Sequence, residues 1–311
     1  MPDEQPIPKK LLILDVILLI AVLVTAFAIY NFYYKEPNKD SSKAEVTQSE
    51  SFKNISIQGK SAYVLDMVKN TVIFEKNSSL QLPLASITKI MTALTASDLL
   101  PKDSRITVRK EFLFEEGDTG LVDGEAWRLR DLLDFSLIVS SNDGARSIAS
   151  VVGASILQTS DYDLGRKDFV NEMNKKAVVM GLSQTYFTNE NGLDNGEISG
   201  GYGSAQDIGT LLRYILTTKP DLLEATRYPS TTIKSFSKSH PVSNTNSSVN
   251  RIPGLLLSKT GYTDMAGGNL AIAFDASIGR PIIVVVLGST EDGRFTDVEK
   301  LVKASLNYLQ K

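Results

Sequence analysis

Ser86 and Lys89 stand three residues apart in Ser86-Ile87-Thr88-Lys89, a spacing that puts both on one face of a helix. A serine hydroxyl there can attack a carbonyl once its proton has somewhere to go. A lysine whose charge is suppressed by burial and by a second cation can take that proton. If the pair opens a helix, the free N–H groups and dipole of that terminus favour an alkoxide or an oxyanion. Further along, Ser140-Ser141-Asn142 offers a hydroxyl to relay a proton between Lys89 and a leaving amine, and a side-chain amide to bind a substrate amide. Lys259-Thr260-Gly261 adds a cation, a hydroxyl for a carboxylate, and a residue that lets substrate approach the backbone. Together the three motifs supply the nucleophile, base, proton shuttle and anion-binding strand of acyl transfer through a serine.

Each motif alone also has an ordinary reading. Ser86 and Lys89 fit a helix N-cap with a surface lysine, and Ser235-Phe236-Ser237-Lys238 repeats their pattern in a polar stretch with no amphipathic helix after it. Ser140-Ser141-Asn142 fits a turn followed by an N-cap, and Ser248-Val249-Asn250 and Ser305-Leu306-Asn307 match it too. Lys259-Thr260-Gly261 fits an exposed strand end. The order of all three along one chain is what carries the argument.

Composition narrows the chemistry further. The 311 residues are 42% hydrophobic and 22% charged with a net charge of −3, which is ordinary for a globular protein and gives no sign of a nucleic-acid partner. There is no Cys, so thiol catalysis, disulfides and thiolate metal sites are excluded. The one His, His240, stands before Pro241 among Ser and Asn, and reads as a solvated loop residue. A zinc site built on several histidines is excluded, and no metal site is expected.

The elements that must position these residues follow from patterning. Lys60–Met67 and Val72–Glu75 read as a β-hairpin around Val68-Lys69-Asn70. Ser86–Leu100 has helical periodicity. Helical patterns follow at Arg130–Val139, Ala145–Val152, Phe169–Met180 and Ala205–Leu216. Leu255–Ser258, Asn269–Phe274 and Pro281–Leu287 read as strands, the first closing on Lys259, and Phe295–Leu309 as a closing helix. The sheet is therefore assembled from both ends of the domain with a helical region inserted between them. That is an α+β, mixed α/β arrangement with a cleft at the junction.

Residues 1–10 read as an N-terminal tail, and the apolar run Leu11–Tyr34 is long enough for a transmembrane anchor with aromatics at its end. A cleavable signal peptide is the competing reading, because Ala26-Phe27-Ala28 has a small-residue cleavage pattern. Residues 35–57 are polar and mixed in charge, as a flexible linker is, which leaves 58–311 as the catalytic domain.

The ordered motifs resemble those of the serine D-Ala-D-Ala carboxypeptidases, the low-molecular-mass penicillin-binding proteins. Flanking residues extend the likeness: Leu84-Ala85, Gly124-Glu125, Asn244-Thr245-Asn246, Thr263-Asp264 and Ala266-Gly267. The resemblance implies a β-lactamase/transpeptidase-like fold, an antiparallel sheet flanked by helices with an inserted helical subdomain. It implies Ser86 as acylated nucleophile, Lys89 as general base and Ser140 as proton relay. Asn142 and Lys259 complete the polar network, and Thr260 holds the substrate carboxylate. Gly261 lets substrate approach, the N–H groups of Ser86 and Tyr262 form the oxyanion hole, and Arg294 resembles a second carboxylate contact. The implied activity is removal of the terminal D-alanine from peptidoglycan stem peptides, without cofactor and with β-lactams as inhibitors. The implied location is the cell membrane, single-pass, with the catalytic domain extracytoplasmic. One departure is the lack of a His in Tyr202–Asp207, where many relatives have one.

Three rivals share these features. A class A β-lactamase uses the first and third motifs and a Glu-x-x-Leu-Asn loop, which Glu190-Asn191-Gly192-Leu193-Asp194 approaches. A DD-endopeptidase uses the same bond chemistry with a different leaving group. An inert cell-wall-peptide binder would keep the fold without turnover.

Overall fold

The computed structural model describes residues 50–117 and 120–310. The expected tail at 1–10, the expected anchor at 11–34 and the first part of the expected linker lie outside the described residues.

Ser61–Asp66 (β1) and Thr71–Lys76 (β2) form the expected hairpin. Asp66 Oδ1 accepts from the N–H groups of Val68 and Lys69 at 3.0 and 3.1 Å, and Asn70 takes a left-handed φ of 49°, so the turn is set by its own side chains. The inserted helices are Thr88–Leu99 (α1), Leu129–Ile138 (α2), Asn142–Leu157 (α3), Tyr162–Val179 (α4) and Ala205–Thr218 (α5). The chain then returns as Leu255–Thr263 (β3), Gly267–Asp275 (β4) and Pro281–Ser289 (β5), and ends on Gly293–Leu309 (α6).

The five strands make one antiparallel sheet in the order β3-β4-β5-β1-β2. β5 is buried from Ile282 to Ser289 without alternation, because both faces of the sheet are covered. On one face Ala62, Val64, Ile282, Val284 and Val286 pack with Phe295, Val298 and Leu301 of α6. On the other, Gly209 of α5 lies so close to Tyr63 that a Cβ would stand 2.6 Å from the ring. This places β3 at a sheet edge, with its outer side turned to the helical region.

Several expectations change in the structure. The strand expected to end at Ser258 runs on to Thr263, with the register Lys259↔Ala271, Thr260↔Leu270 and Gly261↔Asn269 unbroken. Polar residues on an edge strand face the cleft, so their polarity does not end the ladder. α3 and α4 are longer than their apolar patterns, because Ser141 and Asp161 cap their first turns. The expected linker at 35–57 gives way to packed structure before residue 58. Phe52 stacks on Phe74 with centroids 5.4 Å apart, and Ile57 is buried in the same core. Among residues 50–57, Phe52 and Ile57 are apolar anchors in a polar stretch.

His240 is a further correction. It lies on the strand Ser239–Ser243, buried, with Nε2 2.7 Å from Glu125 Oε1 and its ring centroid 4.7 Å from that of Trp127. Its partners sit far away in sequence, so nothing near Pro241 announces the burial.

Candidate active site

Ser86 lies in a one-turn 3-10 helix, Ala85–Ile87, that runs into α1 at Thr88. Three contacts fix this turn. The short strand Leu82–Pro83 pairs with Gly201–Gly203. Asn269 of β4 donates from Nδ2 to the carbonyls of Pro83 and Leu84, both at 3.0 Å, and accepts from Gly288 N–H at 2.7 Å. Finally, Gly261 of β3 presses against the turn: a Cβ there would stand 2.9 Å from Leu84 O and 3.1 Å from the Ser86 nitrogen. Only glycine lets the strand run this close, and the close approach sets the backbone of Gly261-Tyr262 beside the Ser86 amide. Ala85 itself has φ +49°, strain of the kind that surrounding structure must hold in place.

Lys89, one turn along, is buried to 2% exposure. Its Nζ donates to Ser86 Oγ at 2.9 Å, to Asn142 Oδ1 at 2.6 Å and to the Asn191 carbonyl at 2.6 Å. Burial pulls its pKa down to about 7, partly opposed by the negative charges of Glu190 and Glu115. A neutral amine has two N–H groups and one lone pair. With the two N–H groups held by Asn142 and Asn191, the lone pair is left for the Ser86 hydroxyl.

The opposite wall is β3. Lys259 Nζ donates to Ser140 Oγ and to the Thr260 carbonyl, both at 2.8 Å. Burial lowers its pKa well below the usual value for lysine, and the charges of Lys89 and Arg294 push it the same way. Ser140 sits just after α2 with φ +59°, a left-handed conformation that turns the chain into α3. Thr260 Oγ1 lies 2.6 Å from Thr245 Oγ1, and Tyr262 is exposed at the rim. Arg294 Nη1 donates to the Gly261 carbonyl at 2.7 Å, so the buried guanidinium supports the strand backbone.

The structure thus gathers Ser86, Lys89 and Asn142 into one cluster and Ser140, Lys259 and Thr260 into a second, with Gly261 bridging them. Asn142 was expected to bind substrate. Its Oδ1 accepts from Lys89 and its Nδ2 donates to the Glu116 carbonyl at 2.7 Å, which leaves one lone pair and one hydrogen for a substrate amide. The Ser235/Lys238 repeat lies in a turn, where Ser235 Oγ donates to Glu125. Glu190, the carboxylate of the β-lactamase-like loop, is fully buried with both oxygens 3.2 Å from Arg166 Nη1.

Sequence reasoning missed Asn191, Asn269 and Thr245. Asn191 acts through its backbone carbonyl, and Asn269 through strand pairing. Neither leaves a local pattern. Thr245 sits in Asn244-Thr245-Asn246, a stretch whose sequence alone carries no role for it.

Residues 44–291 match the family model of the D-alanyl-D-alanine carboxypeptidases. The chain is 28% identical over 291 residues to the D-alanyl-D-alanine carboxypeptidase DacF of Bacillus subtilis, covering 92% of this chain and 68% of that protein. It is 31% identical over 248 residues to a D-alanyl-D-alanine endopeptidase of Pseudomonas aeruginosa, covering 76% and 72%. Among solved structures, penicillin-binding protein D2 of Listeria monocytogenes in its ampicillin-bound form superposes with a TM-score of 0.68 at 28% identity, over 81% of this chain and 98% of that one.

Proposed function

Because the chain belongs to the D-alanyl-D-alanine carboxypeptidase family, we propose that Ser86 is its acylated nucleophile and Lys89 the base that activates it. The chain is a serine-type D-Ala-D-Ala carboxypeptidase, a hydrolase. Its substrate is the stem peptide of peptidoglycan. The observation that carries the reading is the Lys89 geometry: 2.9 Å to Ser86 Oγ, with two fixed acceptors for its remaining hydrogens.

Neutral Lys89 takes the Ser86 proton as Oγ bonds to the carbonyl carbon of the penultimate D-alanine. The oxyanion accepts from the N–H groups of Ser86 and Tyr262; one such donor is worth about 2.7–4 kcal/mol. On collapse the C–N bond breaks, and the proton that Lys89 took from Ser86 passes through the Ser140 hydroxyl, which Lys259 orients, to the leaving amine, leaving Lys89 neutral again. Water then attacks the acyl-Ser86 ester and gives up a proton to Lys89, which passes it to Ser86 Oγ as the ester C–O bond breaks and the shortened peptide is freed. Thr260 and Lys259 hold the terminal carboxylate of the substrate.

β-Lactams would acylate the same serine and leave it slowly. Glu190 has its carboxylate engaged by Arg166 and is not offered as a base for the deacylating water. The 31% identity to an endopeptidase favours a second reading, in which the leaving group is the cross-linked neighbour rather than free D-alanine. The proposal also places the catalytic domain outside the cytoplasmic membrane, with residues 11–34 as a single-pass anchor. The apolar run of that segment and the location of peptidoglycan support it.

Intact mass after exposure of the full-length chain to benzylpenicillin, beside Ser86→Ala, tests the assignment. A stable adduct on the wild type alone is expected; an equal adduct on Ser86→Ala overturns it. Rapid drug loss without adduct would indicate a β-lactamase. Release of D-alanine from a model stem peptide separates turnover from inert binding, and a cross-linked dimer peptide separates the endopeptidase reading.

A further inference from the structure

Both acceptors of Lys89 are fixed from one place. The loop before α2 carries Glu115 and Glu116, and neither belongs to the three motifs. Glu115 accepts from Asn191 Nδ2 through Oε2 at 3.1 Å, and Asn191 is the residue whose carbonyl takes a Lys89 hydrogen. Glu116, the next residue, accepts from Asn142 Nδ2 through its carbonyl at 2.7 Å, and Asn142 takes the other. The dipeptide is itself tied to α3. Arg146 pairs with Glu115 Oε1, and the Glu115 N–H donates to Asp143 Oδ1 at 3.0 Å. Asn142, Asp143 and Arg146 all stand on the first turn or two of that helix.

We propose that Glu115 is a positioning residue of the reaction: held by Arg146, it locks the Asn191 loop and, through Glu116, the Asn142 amide, so that Lys89 keeps its free lone pair aimed at Ser86. Asn142 cannot turn over without losing both bonds, because its oxygen faces a lysine and its nitrogen a carbonyl. The Asn191 side chain is equally constrained, since its oxygen accepts from Leu193 N–H at 2.9 Å. Glu115 is only 15% exposed, so its charge is little screened by solvent.

That charge has a sign to test. The charged groups around Lys89 are Glu190 with its partner Arg166, Glu115 with its partner Arg146, and Lys259 backed by Arg294 on the strand side. Glu115 favours the protonated lysine. Removing its charge lowers the proton affinity of Lys89, and removing Arg146 raises it.

The inference rests on Lys89 serving as the base of Ser86, so the first readout needs no acylation. Nuclear magnetic resonance of 13Cε-lysine in the full chain follows the Lys89 titration in wild type, Glu115→Gln and Arg146→Gln. The midpoint is expected to fall by roughly 0.5–1 on the pH scale in Glu115→Gln. It should rise in Arg146→Gln, which also decides the matter if Glu115→Gln does not fold. An unchanged midpoint in a folded variant, or shifts of the same sign in both, overturns the proposal. The second readout is penicillin acylation against pH. Glu115→Ala should lose roughly 10- to 100-fold in rate, with Glu115→Gln recovering most of it. A fall in thermal stability without loss of rate would mean a merely structural strap, and would overturn the positioning role. A wild type that does not acylate at all would defeat the Ser86 assignment instead, and the titration would still stand as a separate result.

Discussion

The two walls of the cleft each bury a lysine, and the two lysines are treated differently. On the helical wall Lys89 has carboxylates nearby, Glu190 and Glu115, which offset part of its desolvation, and its pKa comes to rest at about 7. On the strand wall the charges that act on Lys259 are the cations Lys89 and Arg294, and its pKa is driven well below the normal range. The helical wall therefore carries its own counter-charge, whereas the strand wall is short of one. A substrate carboxylate arriving at Thr260 supplies it, which makes the strand wall an anion site and the helical wall a proton site.

The largest break in this comparison is Lys89→Met. Loss of the base should cost about 10²–10⁴-fold in acylation rate, measured as the second-order rate with benzylpenicillin. In the wild type that rate should rise with pH through about 7, because only neutral Lys89 accepts the serine proton. Lys89→Met should lack that limb. A wild-type rate that is flat from pH 5 to 9 would remove Lys89 from the role.

Next comes the substrate rather than the enzyme. A stem peptide ending in a carboxamide leaves the strand wall without its anion and should lose roughly 10²-fold or more in kcat/KM. Equal turnover of acid and amide would show that Lys259 and Thr260 do not read the carboxylate.

The smallest effect sharpens what holds the walls together. Asn269→Ala leaves the Gly288 N–H without its acceptor and takes a donor from the Pro83 and Leu84 carbonyls, the latter keeping Ile87 N–H at 3.2 Å, and should cost about 1–3 kcal/mol of stability by denaturant unfolding. Acylation should slow alongside it, since the Ser86 turn loses its tie to β4. A destabilised variant with full acylation rate would mean that β3 alone places the nucleophile.

The strand wall was readable from sequence and the helical wall only in its motif residues, for a physical reason. Lys259-Thr260-Gly261 stands next to an apolar run, and the strand that pairs with it follows directly in sequence, so the motif and its ladder lie together. Its extent was misjudged, as the strand continues to Thr263. The helical wall joins Lys89 on α1, Asn142 on α3, the carbonyl of Asn191 and the carboxylate of Glu115. A backbone carbonyl belongs to every residue and carries no signature. His240 was misread on the same account: its burial depends on Trp127 and Glu125, which no local pattern connects to it.

The sequence by itself determined the reactive groups, their order, the family, and the assembly of the sheet from both ends of the domain. Those are properties of residue type and of periodicity, which chain position preserves. Only the tertiary structure decided how burial lowers the proton affinity of each lysine, which groups the Asn142 amide meets, and that Phe52 and Ile57 pack into the core. Proton affinity, hydrogen-bond occupancy and burial all depend on distances between segments far apart in the chain. Those distances do not exist until the helical region closes on the sheet.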